Sequence, residues 1–375
     1  MQMRIGIDVR RMHGQRTGVG VYITSLVKTL TEIDEKDTFC FFFKGVKLFS
    51  PLDALVKELF WKQLILPIIL WVRKIDVFFC PNPPVPFFAL CPTVVTIHDV
   101  EVPPKSEWLN RIWFVLYHFT AGKAAKIIVP SLNTAKDVMR ILHVPEEKIV
   151  VVYDGVEHEK FKPLDREGAK KYVKSKYGIN NAFILSVVGT FIPRKNVLRL
   201  LYAYHKLPDD TKSRYKLVII GKRKGPLYNE ALETITRLNL EERVILTGYV
   251  SQEDLPLLYN SASLFVFLSL YEGFGLTPLE AMACGTPVIA SRTSSLPEVI
   301  NDAGMMVNPY NVYEASRVIL EGLTDEPLRE KLKKNGVKRA HLFSWEKSAA
   351  SLLTVLEALV KNRMKTNEIS SRATT

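Results

Sequence analysis

Two acids, two adjacent bases and one histidine stand where this chain could do chemistry. Glu272 and Glu280 bracket the turn Gly273-Phe274-Gly275-Leu276-Thr277, with seven residues between the two carboxylates. Gly273 and Gly275 permit a tight turn and close backbone approach to a ligand. Arg194 and Lys195 sit side by side where a helix is expected to start. The helix dipole disfavours cations there, a cost that makes sense if the pair clamps a diphosphate. His98-Asp99 closes an apolar run, where a polar pair must bind something or be fully hydrogen-bonded. Carboxylates for hydroxyls, cations for phosphate and an imidazole suit the grip of a polar, phosphorylated ligand. Plainer readings stand beside this one. Thr277-Pro278-Leu279-Glu280 is also a capping box, Arg194-Lys195 is also a solvated charge pair, and Asp99 orients the imidazole or caps a loop.

Placing these residues requires strands that end where they begin. Leu264–Leu268 reads as a buried strand, Thr277 and Pro278 as the N-cap and first residue of a helix closed by Gly285, and Pro287–Ala290 as the next strand. Such a βαβ unit binds ligands at the carboxyl ends of its strands and anions at its helix N-terminus. At the other end of the chain, Arg4–Val9 is a strand, Tyr22–Thr31 a helix and Thr38–Phe43 a strand. Gly18, Val19 and Gly20 lie at the tip of the intervening loop, where backbone amides could face an anion; the GxGxxG spacing is absent, and an ordinary turn is the alternative. Short β-branched runs at Val77–Cys80, Thr93–Ile97, Lys126–Val129 and Ile149–Val152 continue the first series. A second series opens with Phe183–Val188, the loop Gly189–Pro193 and the helix Val197–His205. The reading is α/β, with two Rossmann-like doubly wound domains at 1–157 and 165–344. A last helix falls at about 345–364, and residues 365–375 are expected to form a disordered polar tail.

Composition narrows the class. The 375 residues are 47% hydrophobic and 24% charged, ordinary for a globular protein with roughly two domains. Arg4 and Asp8 interrupt the N-terminal apolar stretch, so no signal peptide is expected. Cys40, Cys80, Cys91 and Cys284 show no metal-ligand spacing, which points to a reduced cytoplasmic setting. The net charge of +12 (51 basic less 39 acidic residues) calls for an anionic partner: a phosphorylated substrate, an anionic membrane surface or nucleic acid. Zinc-finger and RNP patterns are absent, which argues against nucleic acid. Leu64–Val72 is too short to span a bilayer, which needs about 20 apolar residues. It reads as a buried helix or as one lying in a membrane interface, and Trp108–Phe119 carries the same two readings.

In this order and spacing, the motifs resemble the GT-B glycosyltransferases, specifically retaining family 4, the group 1 family. The resemblance runs from Gly18–Gly20 through Thr96-Ile-His-Asp99, Asp154-Gly-Val156, Gly189–Asn196, Thr247-Gly-Tyr-Val250 and the Glu272/Glu280 pair to Phe343-Ser-Trp345. The wording around His98, Arg194 and Glu272 is most similar to the bacterial mannosyltransferase branch. The resemblance implies two domains facing each other across a cleft, with the C-terminal helix crossing back to the N-terminal domain. It implies that Arg194 and Lys195 bind the donor diphosphate, Glu280 the ribose, and Glu272 the donor sugar. Gly273, Phe274, Gly275, Leu276 and Thr277 would offer amides to sugar and phosphate, Val250 would lie near the base, and His98 would touch the transferred sugar. Gly18, Val19 and Gly20 would close over the phosphates or the acceptor. Thr190 departs from the pattern, since many relatives carry a basic residue there, and this shifts phosphate neutralisation onto Arg194 and Lys195.

The expected activity is transfer of a hexose with retention, α-mannose from GDP-mannose, onto a saccharide or lipid-linked polysaccharide acceptor. The alternatives are a UDP-sugar-dependent glucosyl- or N-acetylglucosaminyltransferase and, more remotely, a non-catalytic basic protein on membrane or nucleic acid. No cofactor and no metal are expected, since no DxD-like motif occurs at a suitable site and cations would replace Mg²⁺. The expected setting is cytoplasmic, with peripheral contact at the anionic inner face of the membrane.

Overall fold

The structure is a computed structural model and describes residues 2–10, 12, 18–43, 59–101 and 108–373. The chain divides into two compact units, Met1–Gly155 with Trp345–Thr375, and Val156–Ser344.

In the first unit, β1 (Arg4–Asp8), β2 (Thr38–Phe42), β3 (Val77–Cys80), β4 (Thr93–Thr96), β5 (Lys126–Val129) and β6 (Ile149–Val151) form one sheet in the order β2-β1-β3-β4-β5-β6. Every pairing is parallel, so each connection is a crossover. β3 and β4 are buried along their whole length, as strands covered on both faces must be. α1 (Gly18–Ile33) follows β1, and a π turn (Trp61–Ile65) leads into α2 (Leu66–Val72). α3 (Trp108–Lys123) and α4 (Leu132–Leu142) flank β5. The order reverses between β1 and β3, which makes their carboxyl ends the switch point of this sheet.

The final helix, Trp345–Ala373, packs on α1. Trp345, Ala349, Leu352, Leu356 and Val360 are buried at spacings of three and four, a single helical stripe. The helix continues to Ala373, through most of the stretch expected to form a tail, and residues 374–375 lie outside the described residues. The segment has no Gly or Pro, and extending a docked helix adds one hydrogen bond per residue without a new nucleation cost.

In the second unit the order is β12-β11-β10-β7-β8-β9, again all parallel. The strands are β7 (Ala182–Thr190), β8 (Tyr215–Lys222), β9 (Val244–Gly248), β10 (Leu264–Phe267), β11 (Val288–Ser291) and β12 (Met305–Val307). Alternate residues feed opposite faces: Leu185, Val187, Phe265 and Phe267 join one core, Ile184, Val188, Leu264 and Val266 the other. The order reverses between β7 and β10. Ile184 pairs with Leu264 there, so the loops after these two strands emerge side by side. The β7–β8 register shifts between Val187 and Gly189, and Gly189 takes a φ of +68° that re-aims the chain towards Arg194.

Candidate functional site

The switch point of the second unit gathers the charged residues that the sequence singles out. Arg194 and Lys195 lie on a 3₁₀ turn, Pro193–Lys195, after β7, and Glu272 follows β10. Lys195 Nζ donates to Glu272 Oε1 at 2.6 Å, with the two side chains only 17% and 13% exposed. Ser269 Oγ stands 2.6 Å from the same carboxylate oxygen and 2.9 Å from Arg194 O. Leu270 N also donates to Arg194 O at 2.7 Å, which binds the two loops together through backbone. The ammonium of Lys195 lies 5.2 Å from the Phe267 ring centroid. Both side chains are only part-buried, yet the short contact and the Ser269 hydroxyl hold the pair better than an exposed ion pair.

Several supports escape the sequence reading. Asn196 adopts a φ of +56° and donates through Nδ2 to Leu268 O and Pro309 O, both at 2.9 Å. Those bonds pin the start of helix Val197–His205 to the end of β10. Ser294 Oγ accepts from Glu272 N at 3.0 Å, and Ser295 Oγ donates to Phe274 O at 2.7 Å. The only sequence signal for these residues was small polar character just past the strands β7 and β11.

Thr277 is not the N-cap. The helix starts two residues earlier than expected, spanning Leu276–Ala283, with Gly275 at its cap position in a φ of +118°. A Cβ on Gly275 would stand 2.9 Å from Leu296 Cδ2, so both conformation and space demand glycine. The capping box therefore fails. Glu280 is buried and accepts from Tyr259 OH at 2.9 Å instead. Burial is the main cause that raises its pKa to about 7, against the lowering effects of the Tyr259 hydroxyl and the Lys160 charge. Glu272 and Glu280 thus differ: the first is salt-bridged to a lysine, the second is hydrogen-bonded to a phenol. The Phe274 side chain is buried against Phe343, with ring centroids 5.6 Å apart. Val250 is buried in the core, so at the end of β9 only its backbone can meet a ligand.

The first unit has its own constellation at the carboxyl ends of β1, β3 and β4. His98 Nε2 lies 3.0 Å from Pro81 O, and since a carbonyl only accepts, that nitrogen carries the proton. The Tyr22 ring meets His98 edge-on at 4.6 Å, is backed by Trp345 at 5.9 Å, and its hydroxyl lies 2.9 Å from Thr96 Oγ1. Gly18, Val19 and Gly20 are not a loop tip. They form the first turn of α1, four residues before the expected start at Tyr22. First-turn amides lack intrahelical acceptors, so the capacity for an anion persists on a helix N-terminus. Thr17 and the preceding loop from 13 lie outside the described residues.

An ion cluster that the sequence did not single out occupies the β1–β3 switch point. Arg10 donates through Nε and Nη2 to the two carboxylate oxygens of Asp8 at 2.8 and 2.7 Å. Lys62 Nζ is buried 3.4 Å from Asp8 Oδ2 and donates to Pro84 O at 2.7 Å. Burial raises the Asp8 pKa, but the Lys62 and Arg10 charges overcome it and hold the carboxyl at about 2. Close to Tyr22, Asp154 is buried with Oδ1 lacking a hydrogen-bond partner, and burial pushes it up to about 8.

Two parallel six-stranded sheets, each wound outwards from its first strand, are the α/β arrangement of the GT-B glycosyltransferases. The fold is shared with sucrose-phosphate synthase from Thermosynechococcus elongatus at a TM-score of 0.79 and 19% identity, over 96% of this chain and 100% of that one. Residues 17–160 match the Glycosyltransferase Family 4 model and residues 170–339 the Glycosyl transferases group 1 model, and the chain belongs to this family. It is 34% identical over 270 residues to the O-antigen chain mannosyltransferase B of Escherichia coli, covering 71% of this chain and 70% of that protein. It is also 34% identical over 286 residues to the serotype-specific mannosyltransferase WbdA of Escherichia coli, spanning 73% of this chain but 34% of that protein's length. The enzyme is therefore a glycosyltransferase, which removes the reading as a non-catalytic basic protein.

Proposed function

We propose that this enzyme transfers α-mannose from GDP-mannose, with retention, onto a saccharide or lipid-linked polysaccharide acceptor at the cytoplasmic face of the membrane. The observation that carries this reading is the Lys195–Glu272 pair at the β7–β10 switch point, beside the helix N-terminus at Gly275 and Leu276. The similarity to mannosyltransferases supports the choice of sugar.

In this reading the diphosphate engages Arg194 and Lys195, and amides of Gly273 to Thr277 serve the phosphate and sugar. Glu280 accepts hydrogen bonds from the ribose hydroxyls, and the Val250 backbone lies near the base. Glu272 positions the donor sugar, and His98 of the first unit contacts the transferred hexose. The N-terminal turn Gly18–Gly20 of α1 serves the phosphates or the acceptor. The acceptor oxygen bonds to the anomeric carbon as the bond to the diphosphate breaks, and the acceptor's proton passes to the departing phosphate oxygen. Lysine and arginine neutralise the charge that develops on that oxygen, so no metal or other cofactor is needed. Glu272 is tied to Lys195 and Ser269, which suits a positioning role over a nucleophile's.

Incubation with labelled GDP-mannose, UDP-glucose and UDP-N-acetylglucosamine tests the reading, with the anomeric configuration of the product read by NMR. Release of mannose or mannosyl product from GDP-mannose alone, in the α configuration, is the expected result. Turnover confined to a UDP-sugar would replace the donor assignment.

A further inference from the structure

The first unit concentrates its exposed large apolar side chains on neighbouring elements. Along the π turn and α2, Leu66, Pro67 and Leu70 are buried, while Leu64 and Val72 are exposed with Ile68 at 62% and Trp71 at 65%. The loop at 85–91 adds Phe88 and Leu90, the latter 69% exposed, and α3 adds Val115 and Phe119, the latter 63% exposed. Leu64–Val72 thus has a buried side, as the core-helix reading expects, and an exposed apolar side.

These side chains share one surface. Gln63 donates to Val85 O at 2.9 Å and accepts from Phe87 N at 2.7 Å, tying the 85–91 loop to the π turn. The Phe87 ring lies 6.2 Å from that of Phe119, joining the loop to α3. On the other flank a groove of about 710 Å³ brings Trp71 and Val72 together with Leu90, Val360 and Met364, with Lys74, Asp76 and Arg363 also in its wall. In the second unit, exposed apolar residues such as Leu232, Tyr249 and Tyr313 lie on separate elements. Soluble proteins rarely leave a contiguous apolar patch of this kind uncovered.

Charge identifies what covers it. Residues 59–75, 85–91 and 108–123 contain no aspartate or glutamate, and Asp76 in the groove wall accepts from Arg4 N at 2.8 Å, leaving basic residues in excess on this face. Arg73, Lys74, Arg111 and Lys123 are exposed on these elements. Two copies meeting through such a face would bring like charges together, whereas an apolar layer edged by phosphates matches both features. Among the described residues, no helix is long and apolar enough to cross a membrane, so the face would lie in an interface.

We infer that this face docks the first unit onto an anionic lipid bilayer. Ile68, Trp71, Leu90 and Phe119 enter the interface, while Arg73, Lys74, Lys123 and Arg363 meet lipid phosphates. The inference does not depend on the identity of the donor sugar, because lipid binding is measured without it.

Co-sedimentation with vesicles of phosphatidylcholine, with and without phosphatidylglycerol, tests it. Binding is expected to the anionic vesicles above the neutral ones and to weaken as salt rises. The double variant Ile68→Ser/Trp71→Ser, at exposed positions, should weaken binding by about tenfold or more. The conservative Trp71→Phe should keep binding while losing much of the fluorescence quenching by brominated acyl chains. Equal partition to both vesicle types, or unchanged binding by the double variant, would overturn the proposal. So would a concentration-dependent dimer that the same double variant disperses, since a second copy would then be the occupant.

Discussion

Lys195 and Glu272, 77 residues apart, meet at 2.6 Å where the first and fourth strands of the second unit lie side by side. Neither loop alone creates this pair, and Ser269 and Asn196 hold both loops in the register that does. The pair fixes a carboxylate and an ammonium together, so a donor engaging one necessarily acts on the other.

Shortening the carboxylate should therefore be costly. Glu272→Asp withdraws the oxygen from both Lys195 and Ser269 and should lower kcat by roughly 100-fold, the scale of losing one preorganised electrostatic group. Lys195→Ala should raise the donor KM and lower kcat together, and Ser269→Ala should cost less than either. Steady-state kinetics with a fixed acceptor distinguish the three. Wild-type rates in Glu272→Asp and Lys195→Ala would remove the pair from the mechanism.

Glu280 should make donor binding depend on pH. Its carboxyl titrates at about 7, raised chiefly by burial, and only the ionised form can accept from both ribose hydroxyls. Affinity for GDP-mannose should thus rise as pH climbs from 6 to 8. Calorimetric titration across that range should show proton release on binding, and Glu280→Gln should abolish both the slope and the proton. A flat profile in the parent enzyme would place the ribose elsewhere.

Asp154 predicts a stability slope in the alkaline direction. Burial holds its folded pKa at about 8, against about 3.9 for an unfolded aspartate. The folded state then binds the extra proton between those values, so the stability it contributes at low pH is lost as pH rises through 8. Asp154→Asn should melt close to the parent at pH 4 and roughly 5 °C higher at pH 9. Thermal scans at the two values measure the difference, and an equal shift at both would assign it to packing.

Cation clamping also predicts indifference to chelation. With Arg194 and Lys195 carrying the diphosphate, EDTA should leave turnover unchanged and added Mg²⁺ should not restore an Arg194→Ala variant. Inactivation by EDTA with recovery on Mg²⁺ would make a metal part of the reaction.

Much of this protein was legible from local signals. β-branched and aromatic runs bounded by turn residues set the strands from Arg4–Asp8 to Met305–Val307, because a strand buried on both faces needs that composition. The positions of Arg194, Lys195, Glu272 and His98 just past strands were readable for the same reason. Helix starts were less legible, since Gly18 and Gly275 can begin a helix only where the surrounding chain sets their backbone. A capping box at Thr277 satisfied local rules and still failed, because burial drew Glu280 to Tyr259.

The amino-acid order by itself determined the two βα series and the residue types waiting at the strand ends. Tertiary structure alone decided their partners: Lys195 with Glu272, Tyr259 with Glu280, and Lys62 with Asp8. These partners are set by strand order and burial, which depend on contacts across tens of residues and leave no periodic trace in the chain.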